Sequence, residues 1–166
     1  MKQNKILLTG FKATRFDKSA SKVFLEQINN YDKYLFSNNY DNINKEIKLL
    51  QLEKYDYVFM FGQKPVIKRL TIEIDAKKDN ILNTNFQVEA FIEELINNNI
   101  SYRLSHNPGN YYCNHAYYKV LEFIKANNLK TKVIFIHIPY IKNFVEMNKC
   151  ISYFSSGGIY ARDSRS

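Results

Sequence analysis

Two cysteines are too few for a disulfide scaffold, and the N-terminal stretch MKQNKILLTGFKATRF has neither a long apolar run nor a small-residue cleavage site. The expected compartment is the cytoplasm. No window approaches the roughly 18 uninterrupted apolar residues of a membrane-spanning helix, so no membrane partner is expected. Internal repeats and interdomain linkers are also missing. The 166 residues, 45% of them hydrophobic, therefore read as one α/β domain over 1–154, followed by a polar, aperiodic tail over 155–166 that is expected to be loose.

Concentrated charge of one sign is lacking too. The net charge is +8, but the lysines stand singly among asparagines and isoleucines, and only QKPVIKR forms a local cluster. A basic footprint implies nucleic acid only when it gathers on one face. No nucleic-acid partner is expected, and a basic binding module is kept only as a distant alternative.

What is present is alternation. The runs KILLTG, KYLFS, YDYVFMFG, ISYRLS and KVIFIHIPY read as strands, and LTIEID alternates with period two, which predicts a half-exposed strand with Thr71, Glu73 and Asp75 on one face. Between them, helical spacing recurs in SASKVFLEQI (Val23, Phe24, Gln27), NINKEIKLLQLEK (Ile43, Ile47, Leu50), FQVEAFIEELINNN (Phe86, Ala90, Phe91, Leu95), the segment after Asn110, and IKNFVEMNKCISYF. Strands alternating with helices predict a mostly parallel sheet covered on both faces. In such a sheet, functional groups gather beyond the carboxyl ends of the strands. Four loops meet that condition: TGFKATRF, GQKPVIKR, SHNPGN and the turn around His137.

Cys113 follows the third of these, in the helix that it leads into. With Asn110 as N-cap, Tyr111, Tyr112 and Cys113 become the first helical turn, and Tyr117, Val120, Leu121 and Ile124 the buried stripe. There the helix dipole favours a thiolate below the ordinary thiol pKa. By residue type alone Cys113 is either a small buried hydrophobe or a nucleophile. His137, delivered by VIFIH to a strand end, is either a core histidine bonded to backbone or a base. His106 and His115 read as a loop residue and a helix residue near the site, and Cys150 as packing.

Three motifs narrow these alternatives. SHNPGNYYCNHAYYKVLEFI, with VIFIHIPYI downstream and GQKPVIKRLTIE upstream, resembles pyroglutamyl-peptidase I, a family of cytosolic cysteine peptidases, and the similarity includes ILLTGF at the start. The resemblance implies a three-layer α/β/α sandwich and removal of N-terminal pyroglutamate from a peptide substrate through a thioester. It makes Cys113 the nucleophile, His137 the base and Glu73 the orienting acid, with no metal and no cofactor. The first loop aligns Gly10, Phe11 and Thr14 with the substrate pocket, Thr14 standing where the family has phenylalanine. Tyr111 and Tyr112 replace the usual Phe-Val before the cysteine. The family's later arginine motif is absent, leaving Lys77 or Lys78 as substitutes. The resemblance allows a homo-oligomer. A retargeted relative that only binds blocked N-termini is the second reading.

Overall fold

The computed structural model describes residues 3–162. In chain order its elements are β1 (Ile6–Phe11), α1 (Ala20–Glu26), β2 (Asp32–Phe36), α2 (Tyr40–Leu49), β3 (Tyr57–Gln63), β4 (Leu70–Glu73), β5 (Asp75–Lys77), β6 (Ile81–Asn83), α3 (Val88–Asn97), β7 (Tyr102–Ser105), α4 (Tyr112–Ala126), β8 (Lys132–Ile138) and α5 (Met147–Ser156).

Six strands form one sheet in the order β2-β1-β3-β8-β4-β7, while β5 and β6 pair as a separate hairpin. The strands β2, β1, β3 and β8 are mutually parallel. β4 runs antiparallel to β8, and β7 follows β4. The sheet is thus mostly parallel, with its direction reversed past β8.

Both faces are covered, so the inner strands are apolar at nearly every position. On β8, Ile134 and Ile136 join Phe24, Phe91 and Phe154 in a core under α1, α3 and α5. Val133 and Phe135 turn the other way, to Ile43, Ile47, Tyr117 and Leu121 under α2 and α4. This is the expected α/β/α sandwich.

Several local expectations are corrected. LTIEID is not one half-exposed strand: Leu70–Glu73 is buried throughout, and Asp75 begins the hairpin strand β5 beyond Ile74. Period two was present, but the polar positions Thr71 and Glu73 are buried as well, and Tyr117 of α4 lies over the end of the strand. In α1 the buried residues are Ala20, Ser21, Phe24 and Leu25, so Phe24 is buried as expected while Val23 and Gln27 are not. The N-cap of α2 is Asn39, whose side chain accepts from the Asn42 amide, and that of α4 is Tyr111 rather than Asn110.

The expected loose tail also differs over its described part. Residues 155–156 end α5, Gly157 caps that helix at φ 76°, and Gly158–Ala161 forms a 3-10 turn. Tyr160 is buried against Phe86, with ring centroids 5.0 Å apart. Covering a large side chain in this way stabilises by roughly 1.5–3 kcal/mol, and an aromatic anchor was not legible in a segment rich in glycine and serine. Residues 163–166 of that expectation lie outside the described residues.

Candidate active site

The parallel strands β1, β3 and β8 end at one edge of the sheet, and the reversed strands β4 and β7 begin there. Three of the four loops singled out in the sequence leave from this edge, while SHNPGN leaves the far end of β7 and is tied back to the site where Lys64 Nζ donates to the Asn107 carbonyl. His137 is the penultimate residue of β8, only 3% exposed, and Glu73, the last residue of β4, is fully buried. Glu73 lies opposite Phe135 in the register, two residues from His137 on the same face. That offset lets the carboxylate reach along the sheet: Glu73 Oε1 is 2.8 Å from His137 Nδ1. The Tyr117 hydroxyl, from the buried stripe of α4, donates to the Glu73 carbonyl at 2.8 Å and fixes that strand end.

The electrostatics assign the proton. Burial by itself would raise the Glu73 pKa, but hydrogen bonds from His137 and Ser105, with the Lys64 charge, hold it below its ordinary value. Burial pushes His137 down, against the pull of Glu73. The resting pair is therefore carboxylate and neutral imidazole, with Nδ1–H donating to Glu73. That tautomer leaves the Nε2 lone pair free.

The thiol lies over the neighbouring strand. A Cβ placed on Gly62 would come within 2.5 Å of Cys113 Sγ, so the sulfur rests directly on the glycine backbone. Gly62 pairs with His137 across β3 and β8. Only a residue without a side chain admits the thiol here. Cys113 is half-buried and unpaired in a disulfide. The expected lowering of its pKa by the helix start is not what the structure gives. Burial pushes the thiol up to about 12, the Glu73 charge acts the same way, and Lys64 only partly opposes them. A desolvated sulfur is costlier to ionise than a helix end can offset.

A cavity of about 100 Å³ opens next to the sulfur, lined by Phe11, Thr14, Tyr112 and Cys113 together with polar groups including Lys12, Asp17 and Asn38. It is well below the roughly 300 Å³ at which drug-sized pockets begin, and suits one small ring. Of the expected pocket residues, Phe11, Thr14 and Tyr112 are brought to it. Gly10 is not: a Cβ there would meet Leu25 and Ser21 on α1, each at 3.0 Å. Tyr111 is 77% exposed and turned away.

Other residues arrive without having been singled out. Gln63 spans from the first loop to α1, donating to Asp17 and accepting from the Ala20 amide. Lys64 Nζ lies 3.4 Å from Glu73 Oε1 and donates to the Asn107 carbonyl at 3.0 Å. Lys64 is the cation beside the carboxylate. Lys77 pairs its backbone with the Asn114 side chain, and the Lys78 charge acts on His115. The signal for Gln63 and Lys64 was their place directly after a strand-ending glycine. His106 forms a second contact with a carboxylate, Nδ1 to Asp75 Oδ2 at 2.6 Å, and His115 bonds Asn44. Among the described residues, no group of three His, Cys, Asp or Glu side chains is placed to hold a metal, and no helix is long and apolar enough to cross a membrane.

Comparison with known proteins gives this edge a context. The family model described as pyroglutamyl peptidase matches residues 73–153, the span from Glu73 through Cys113 and His137 into α5. The chain is similar to pyrrolidone-carboxylate peptidases of Thermoanaerobacter sp. strain X514, with 29% identity over 61% of this chain and 62% of that one. It also matches that of Thermosipho africanus, with 30% identity over 68% and 66%. These alignments span about two thirds of the curated relatives' length or less. Among solved structures, pyroglutamyl peptidase I of Bacillus amyloliquefaciens superposes with TM-score 0.81 at 16% identity, over 96% of this chain and 95% of that one. The pyrrolidone carboxyl peptidase of Thermococcus litoralis gives 0.79 at 20% identity, over 95% and 93%. The structural likeness speaks for the fold, and the sequence matches show that the span carrying Glu73, Cys113 and His137 is akin to the pyroglutamyl peptidase family.

Proposed function

We propose that this chain is a cysteine peptidase that removes pyroglutamate from the N-terminus of peptides, with Cys113 as nucleophile, His137 as general base and acid, and Glu73 as the residue that orients the imidazole. The observation that carries this reading is the buried 2.8 Å contact between His137 and Glu73, which frees Nε2 on a histidine whose register partner, Gly62, supports the thiol.

The resting thiol is neutral, so proton transfer accompanies attack. His137 Nε2 takes the proton as Sγ adds to the pyroglutamyl carbonyl carbon. The oxyanion would be met by amides in the first turn of α4, which has no side-chain cap to occupy them. As the C–N bond breaks, the imidazolium gives its proton to the departing amine. Water, deprotonated by the same nitrogen, then attacks the thioester, and Sγ leaves and recovers its proton. Pyroglutamate is released and the enzyme is unchanged. The small cavity beside the sulfur fits the lactam ring and no longer side chain.

The test is hydrolysis of a fluorogenic pyroglutamyl amide, with Cys113→Ser as control. Turnover that is lost in the variant is the expected result. Tight binding of the amide without turnover by the unmodified protein would favour the retargeted reading, and neither binding nor turnover would overturn both.

A further inference from the structure

Across β8 from the thiol, at the same edge of the sheet, lies a larger open groove of about 840 Å³. One loop connects the two concavities. It leaves β3 at Gln63, a wall of the small cavity, and its residues Val66 to Arg69 line the groove before the chain enters β4. Thr71, also on the groove wall, is the register partner of His137. This loop gives a peptide whose first residue occupies the small cavity a course into the groove; a second concavity of about 730 Å³, which shares Asp17, Ser19 and Gln63 with the small cavity, is the other course open to it.

The groove has charge to offer. Lys149 is neutralised by Glu146 at 3.3 Å. Among the described residues, Lys68, Arg69 and Arg103 make no ion pair, and all three are exposed. Val66 and Val145 flank them, each 88% exposed. Two local features indicate a built surface. Val66 is held at φ 73°, a left-handed conformation that a β-branched residue adopts only under constraint from its surroundings, and such strain gathers at ligand-contacting loops. Thr71 is only 3% exposed, yet its Oγ1 has no hydrogen-bond partner among the described residues.

We propose that this groove seats the peptide segment downstream of the scissile bond and selects acidic side chains there. The inference rests on the peptidase reading. Aliphatic walls with three free cations match a peptide that carries carboxylates and apolar groups. Single-stranded nucleic acid would call for aromatic stacking surfaces, and none lines the groove.

The test compares kcat/KM on pyroglutamyl peptides carrying two glutamates, two glutamines or two lysines after the first residue, each expressed relative to a small pyroglutamyl amide. The glutamate peptide is expected to exceed the lysine peptide by about tenfold at low ionic strength, with salt narrowing the gap. The triple variant Lys68→Gln/Arg69→Gln/Arg103→Gln should reduce the ratio below about twofold, whereas Lys125→Gln/Lys130→Gln/Lys132→Gln, an equivalent charge removal at the opposite end of the sheet, should preserve it. Equal ratios for glutamate and lysine peptides, or a preference that survives in the groove variant, would overturn the proposal. If no substrate is turned over, the peptidase reading fails separately. The same peptides, dye-labelled at the C-terminus and titrated against Cys113→Ser by fluorescence anisotropy, then test the groove by the same ordering and the same losses.

Discussion

Replacing Gly62 with alanine tests the geometry of the site without touching a chemical group. The new Cβ would stand 2.5 Å from Cys113 Sγ and 2.9 Å from Phe135 Cζ. Ordinary contacts of this kind are about 3.5 Å or longer, so the sulfur must retreat by about 1 Å. The Phe135 ring has little room to yield, packed as it is against Tyr117 and His137 at centroid distances of 5.5 and 4.9 Å. A displacement of about 1 Å at a reacting atom lowers the rate by something like 10²-fold. Overpacking costs about 1–3 kcal/mol, and the reduced freedom of the unfolded chain returns about 0.4–1 kcal/mol. The folded protein should survive with its melting temperature lowered by a few degrees. Gly10→Ala is the matched control, since its Cβ would press on Leu25 and Ser21 and leave the thiol alone. Steady-state kinetics on a pyroglutamyl amide, with thermal unfolding of both variants, gives the answer. A Gly62→Ala enzyme with an unchanged kcat/KM would refute the placement of the sulfur over that backbone.

Glu73→Gln should keep the fold while lowering kcat by about 10²-fold or more, and Asp75→Asn, whose partner is His106 rather than His137, should be mild; a collapse confined to Asp75→Asn would put the acid on the wrong residue. Iodoacetamide should label Cys113 faster than the fully buried Cys150, by mass spectrometry of the folded protein, and because burial pushes the Cys113 thiol up to about 12, labelling should still be accelerating at pH 10. Labelling that levels off near neutral pH would mean a resting thiolate. Stability should be greatest between about pH 6.5 and 9. Below 6.5 the unfolded chain protonates a histidine that folded His137, with its lowered pKa, resists, so stability falls with pH. Above 9 the unfolded chain ionises thiols that folded Cys113 and Cys150 keep protonated, so stability falls again. Thermal melts across pH check both limbs.

The layered architecture was legible because apolar runs and helical stripes repeat along the chain, and Glu73, Cys113 and His137 because each sits in a motif with fixed neighbours. What stayed hidden depends on packing between distant segments. The reversal of β4 leaves no mark on its sequence, since a strand buried on both faces looks the same in either direction. The hairpin strands β5 and β6 have three residues each, too short for any period to register. The raised pKa of Cys113 was missed because a helix start is visible in sequence and desolvation by Phe135 and the β3 backbone is not. Lys64 was overlooked for the same reason: its partners, Glu73 at the end of β4 and Asn107 in the loop after β7, come from other segments of the chain.

The strand order carries a cost in time. β8 is the last strand among the described residues, yet it lies between β3 and β4, near the middle of the sheet. Until residues 132–138 emerge from the ribosome, the earlier strands can build only two separate half-sheets, each with an apolar inner edge left open. Closing that gap joins residues 64 positions apart at Glu73 and His137, and contacts of such sequence separation form slowly. Open strand edges invite pairing with other chains during that interval. Nascent chains halted before Lys132 should therefore be the most aggregation-prone form of this protein, and insertion of the strand that carries the histidine is the step that completes the sheet and the site together.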